Sequence, residues 1–135
     1  MSSKPQRAIK SIEPASALII DPKTGLQWSP TLGERVDWAK AKAVAEAYRG
    51  GDHDDWRLPT IEELITLIDF SRFNPATNIG LFPDTKPNFY WSSTPDASSP
   101  SDFAWLVGFN DGTVLFNGQY HSAFVRAVRG SRAGQ

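Results

Sequence analysis

The two periodicities of this chain are segregated along its length. Between residues 36 and 69 the apolar residues recur at helical steps, whereas after residue 88 they alternate with polar ones. Segregation of this kind does not read as strand–helix–strand crossovers of a parallel sheet, and it leaves an α+β arrangement. In 36–48, Trp38, Ala41, Ala45 and Tyr48 lie on one helical stripe. Asp37 is placed to cap that helix, and Gly50-Gly51 to end it. A second helix is expected over 60–69. Its Thr60-Ile61-Glu62-Glu63 start fits a capping box, Pro59 holds the entry extended, and Ile61, Leu64, Ile65 and Ile68 form the buried stripe.

Strands complete the plan. The run 17–21 is stopped by Asp21-Pro22 and a Gly25 turn, and 26–29 returns as the partner of a small hairpin. Four more strands are expected at 89–94, 103–109, 113–116 and 124–128, with Asp111-Gly112 as a hairpin turn. Trp91 is expected in the core, and Trp105, Val107 and Phe109 share one core-facing side. The N- and C-terminal strands are expected to pair and close one sheet. Residues 70–88 carry Pro75, Pro83 and Pro87 without any period and form a long loop, a feature that seldom lacks a role.

Composition sets limits on function. A chain of 135 residues, 40% of them apolar, supports one core and one domain, placed at 17–130 between a flexible arm over 1–16 and a tail over 131–135. The net charge of -1 supplies no bulk attraction for nucleic acid, so no nucleic-acid partner is expected. The absence of cysteine removes disulfides, thiolate metal sites and cysteine nucleophiles. No apolar run approaches the roughly 18 residues of a spanning helix, so no membrane insertion is expected. Residues 1–17 lack the apolar core of a signal peptide.

Several blocks occur in an order that resembles a known family. They are Asp55-Trp56-Arg57-Leu58-Pro59-Thr60, Glu63-Leu64, Tyr90-Trp91-Ser92-Ser93-Thr94, Ala104-Trp105, Phe109-Asn110-Asp111-Gly112 and Val125-Arg126-Ala127-Val128-Arg129-Gly130. Thr24-Gly25-Leu26-Gln27-Trp28 and the Trp38-Ala39 helix start fit the same pattern. The chain resembles, over 17–130, the bacterial domain-of-unknown-function family typified by the C-terminal domain of the Legionella collagen-like adhesin. That resemblance implies a C-type-lectin-like fold, related to the formylglycine-generating enzymes, with two helices packed on short antiparallel sheets and long loops. It also implies a ligand-binding, adhesin-like role in a secreted or cell-surface setting, and it extends to phage-related binding proteins.

The residues themselves offer little catalytic chemistry. Trp56-Arg57-Leu58-Pro59 reads as a structural brace, with Asp54, Asp55 and Glu63 as candidate partners of Arg57. The Gly51-Asp52-His53-Asp54-Asp55 stretch has metal-donor types, but it lacks the spacing and closing Glu of a calcium loop and reads as a solvated turn. His53 and His121 lie near no nucleophile-elbow pattern. No catalytic residue, metal site or cofactor is therefore expected, and the chain is read as no enzyme. Asn110-Asp111-Gly112 is similar to part of a lectin calcium site, but the preceding tripeptide of those lectins is missing and a hairpin turn suffices.

Binding is expected at the polar loops 95–102 and 117–122, whose Tyr, Ser and Asn content suits adaptable contact. The candidate ligand-binding residues are Asp96, Asp102, Asn110, Asp111, Asn117, Tyr120 and His121. The expected partner is a glycan or protein ligand. The alternative is a structural or assembly protein, such as a phage or secretion-apparatus subunit, that uses the same face to form a homo-oligomer.

Overall fold

Asp21 decides where the chain first turns. Its carboxylate accepts the Lys23 amide at 3.0 Å and the Thr24 hydroxyl at 3.1 Å, and its own amide donates to Leu26 at 2.9 Å. Gly25 supplies the left-handed conformation this turn needs, with φ +78°. The strands on either side, β1 (Ile19–Ile20) and β2 (Gln27–Thr31), pair antiparallel with Ile19 opposite Trp28. The computed structural model describes residues 18–130. The expected arm over 1–16 and tail over 131–135 lie outside the described residues.

Helix α1 (Trp38–Ala47) starts where its sequence places the cap, because the Asp37 side chain accepts the Lys40 amide at 2.9 Å. It is shorter than 36–48 because Val36 is taken by a bridge to Ala123 and Tyr48 leaves the helical region. Ala41 and Ala45 are buried, and Trp38 and Tyr48 pack half-buried beside them.

Helix α2 (Ile61–Ile65) carries both bonds of the capping box, Thr60 hydroxyl with the Glu63 amide and Glu63 carboxylate with the Thr60 amide. It departs from the expected 60–69. Beyond Ile65 the amides of Thr66, Leu67 and Ile68 donate to carbonyls three residues back, a tighter winding. The stripe rotates with it. Leu67 is buried, while Ile65, expected inside, is 37% exposed.

The strands form two small antiparallel sheets, and the expected pairing of N- and C-terminal strands closes the first of them. Strand β2 pairs with the last strand, β6 (Arg126–Arg129), giving the order β1-β2-β6. The second sheet has the order β3-β4-β5, from Phe89–Pro95, Phe103–Gly108 and Thr113–Gly118. A register shift between Trp28 and Thr31 breaks the β2–β6 ladder, and a parallel bridge from Tyr90 to Phe124 links the sheets without merging them. The result is α+β: two helices and two small antiparallel sheets.

Alternation along β3 and β4 sends side chains into two cores. Tyr90 and Val107, directly opposite each other, join Leu26, Trp28, Leu64, Phe82 and Phe109. Trp91 and Leu106, the next pair, join Trp56, Leu58, Ala41, Ala45 and Val125. The central sheet is thus covered on both faces. Trp105, expected in the core with Val107 and Phe109, is half-buried.

The long loop fills the first core instead of hanging from it. Phe82 packs edge-on against Trp28 at 6.4 Å, the Ala76 amide donates to Phe109, and the Thr77 hydroxyl donates to Leu67 at 2.6 Å.

Candidate functional site

The family-like blocks are spent on the frame. Trp56 is buried and its indole N–H donates to the Gly50 carbonyl at 3.0 Å. Arg57 forks onto both oxygens of Glu63, at 2.7 and 2.8 Å, and adds the Gly130 carbonyl. Of its three candidate partners Glu63 is the one used. Asp55 pairs with Arg129 instead, whose guanidinium holds the Asp55 carboxyl below its ordinary range. The second block behaves alike: Trp91 donates to the Val36 carbonyl at 2.9 Å and Ser92 to the Trp105 carbonyl at 2.6 Å.

Arg126, which the sequence reading left without a role, is the most buried charge in this frame. Its guanidinium donates to the Ser29 carbonyl, Thr31, Asp84 and Thr85 at 2.8–3.3 Å, over the rings of Phe82 and Tyr90. The available signal was the apolar run around it: Arg126 stands among Val125, Ala127 and Val128, and all four are buried.

The stretch with metal-donor residues does not converge. Asp52, Asp54 and Asp55 point into solvent and His53 is half-buried. Among the described residues no three His, Asp or Glu side chains gather as a metal cluster.

The seven expected binding residues fall at opposite ends of the second sheet. Asp102, Asn117, Tyr120 and His121 sit where β4 begins and β5 ends; Asn110 and Asp111 form the turn between those strands. The six residues of β4 separate the two groups by roughly 20 Å at about 3.3 Å each. Asp96 lies at the Asp102 end, just after β3. It is buried, its amide donates to Phe103, and its carboxylate accepts the Ser98 hydroxyl at 2.6 Å, so it shapes its loop.

The end near Tyr120 is an open groove lined by Ser101, Asp102, Phe103, Gln119 and Tyr120. Each wall is fixed from below. Gln119 donates from its side-chain amide to the Pro100 and Phe103 carbonyls, at 3.0 and 3.1 Å, and its carbonyl accepts the Trp38 amide at 3.0 Å. The Asp102 carboxylate accepts the Ser99 hydroxyl at 2.9 Å. Asn117 is turned back onto the Gly118 amide at 2.8 Å. Gly118 lets the Tyr120 ring lie on the strand, since a Cβ there would meet that ring at 2.6 Å. Tyr120 stacks on His121 at 4.6 Å between ring centres and remains 82% exposed.

An aromatic row continues from the groove. Phe116 is partly exposed and packs edge-on against Phe103 at 5.6 Å and Trp105 at 5.2 Å. Sequence reasoning placed Ser101 in a binding loop but missed Phe103 and Phe116 here. The available signal was Gly118 opposite Phe103, a gap beside an aromatic ring.

At the other end, Asp111 accepts both the hydroxyl and the amide of Thr113, which hold its carboxyl below the ordinary range. The Asn110 carbonyl accepts the Asn74 amide at 2.8 Å. Phe70 and Phe73 stand exposed on the neighbouring loop. Among the described residues no helix is long and apolar enough to cross a membrane.

No curated protein matches this chain. The family model for the Lcl C-terminal domain matches residues 17–129, a span that takes in both helices, both sheets and the Tyr120 groove. That match covers most of the sequence, and the chain belongs to the Lcl C-terminal domain family.

Proposed function

We propose that this domain is a non-enzymatic recognition module of lectin-like type that holds a glycan or protein ligand in the Tyr120 groove. The observation that carries the reading is an aromatic ring kept in solvent by its surroundings. Tyr120 fills no core, yet Gly118 makes room for it and His121 supports it. A large ring with a polar tip gives contact area at low entropic cost. Beside it, Asp102 accepts hydrogen bonds, while the Gln119 amide is already engaged in bracing the groove. A ring next to a carboxylate suits a sugar, which has an apolar C–H face and a rim of hydroxyl donors. It equally suits a peptide turn with an apolar residue and free amides. The adhesin-type family supports a binding role.

Glycan and protein arrays probed with the wild-type chain, Tyr120→Ala and Asp102→Ala test this. Both substitutions are expected to weaken the strongest hit by at least about tenfold. Binding that survives both unchanged places the ligand elsewhere.

A further inference from the structure

We infer that the outer edge of β5 pairs with the same edge of a second copy of this chain, joining two β3-β4-β5 sheets across a two-fold axis. Hydrogen-bond parity gives the first reason. The Gln119 amide donates to the Asp102 carbonyl directly opposite, and register is unbroken from that pair down to Gly108 and Thr113. Antiparallel pairs alternate, so Ala104–Asn117, Leu106–Leu115 and Gly108–Thr113 exchange bonds within the sheet. Val114 and Phe116 then direct their N–H and C=O groups outward. Among the described residues no strand lies on that side.

The second reason is the character of the edge. Soluble sheets protect a free edge with charge, proline or a bulge. Residues 113–118 contain no charged residue and no proline, and the β4–β5 ladder has no register shift, unlike β2–β6 and β3–β4. Two identical edges therefore meet without like-charge repulsion. Val114 is 37% exposed and Phe116 46% exposed, and pairing covers both.

The third reason is self-complementarity. In an antiparallel two-fold pair centred on Leu115, Val114 of each copy faces Phe116 of the other. Both members of each pair carry an outward donor and an outward acceptor, so every group on the edge finds a partner. The same register lays the Asn110-Asp111 turn of one copy alongside the Gln119-Tyr120 loop of the other. The two candidate groups that a single chain holds at opposite ends become neighbours in the pair.

Light scattering coupled to size exclusion tests the inference on the full chain from about 10 µM to about 500 µM, the range in which small interfaces dissociate. The mass is expected to rise from one chain to two and to stop there. Val114→Pro removes an outward amide and leaves the bonds to β4 intact, so it is expected to remain one chain with an unchanged circular dichroism spectrum. Should that variant unfold, Phe116→Lys places like charges across the axis and is expected to give the same single-chain mass. Hydrogen exchange supplies a second readout. The Val114 and Phe116 amides are expected to be protected in concentrated samples and to exchange freely in dilute ones, while Leu115 and Asn117 stay protected in both. A wild-type chain that is single throughout the range, a mass above two chains, or a folded Val114→Pro that still pairs overturns the inference. None of those outcomes removes ligand binding in the Tyr120 groove, which is read separately on the arrays.

Discussion

Arg126 and Tyr120 lie in two regions that use polar and aromatic groups in opposite ways. Around Arg126 every partner points inward: a carbonyl from β2, two threonine hydroxyls and Asp84 converge on one guanidinium beneath two aromatic rings. Around Tyr120 the hydrogen bonds fix the backbone and Gln119, and the ring and the Asp102 carboxylate are left facing water. The first arrangement ties the long loop to both sheets and is a device for folding. The second adds little to folding and keeps a contact surface in place. The contrast teaches that burial of the polar partners, more than residue type, separates frame from rim in this domain.

The largest effect is expected where a buried cation is removed. Arg126→Ala leaves the Ser29 carbonyl and Asp84 without their donor and is expected to cost about 3–5 kcal/mol, seen as a lower urea midpoint. A loss below about 1 kcal/mol would put Arg126 in the class of exposed surface ion pairs and dissolve the contrast.

How far the sequence could anticipate this contrast depended on whether a residue's neighbours were close along the chain. Asp37, Thr60 and Glu63 act within a few residues of themselves, and their caps formed as the local pattern predicts. Alternation placed Val107 and Phe109 inside because strand geometry alone sets the side, and Trp91 was expected inside as a strand aromatic. The length of α2 was not legible, because the tighter winding after Ile65 accompanies two bonds to the loop: the Thr77 hydroxyl donates to the Leu67 carbonyl, and the Ala76 carbonyl accepts the Asp69 amide. The role of Arg126 was hidden for the same reason: Ser29 lies 97 positions away and Asp84 42. The candidate site was legible as residue types. Its division between two ends of one sheet was not, because Asp111 and Tyr120 are near in sequence and separated in space by the length of β5.

An intermediate effect is expected at the other arginine. Burial pulls the Glu63 carboxyl up, but the Arg57 fork and the Thr60 amide outweigh it and hold the group below its ordinary 4.5. Burial likewise raises Asp84, and the Arg126 charge and Thr31 amide bring it below its ordinary 3.8. Both carboxylates bind protons less readily folded than unfolded. Their contribution is complete above the ordinary values and is lost as pH falls through the depressed ones. Unfolding free energy is therefore expected to be level above about pH 5 and to decline below about pH 4.5. Glu63→Gln keeps a residue that can close the capping box and removes the charge. Because Arg57 is partly exposed, the expected cost at neutral pH is about 1–2 kcal/mol, with a shallower acid limb in urea titrations. An unchanged acid limb would move the pH dependence away from Glu63.

The smallest effect on folding is expected at the rim, and its smallness is what makes it informative. Tyr120 buries little of its ring, so Tyr120→Ala is expected to shift stability by no more than about 0.5 kcal/mol. A residue that contributes this little to the fold is held in place for another purpose if its removal abolishes contact with a ligand. The decisive comparison is one protein sample measured twice, once by urea melt and once on the array. Arg126→Ala is expected to lower stability, with ligand contact retained in whatever fraction stays folded. Tyr120→Ala is expected to leave the melt in place and lose the contact. If Tyr120→Ala destabilises by as much as Glu63→Gln, the ring belongs to the frame, the stacking on His121 and Gly118 is packing, and the division between the two regions fails at its outer edge.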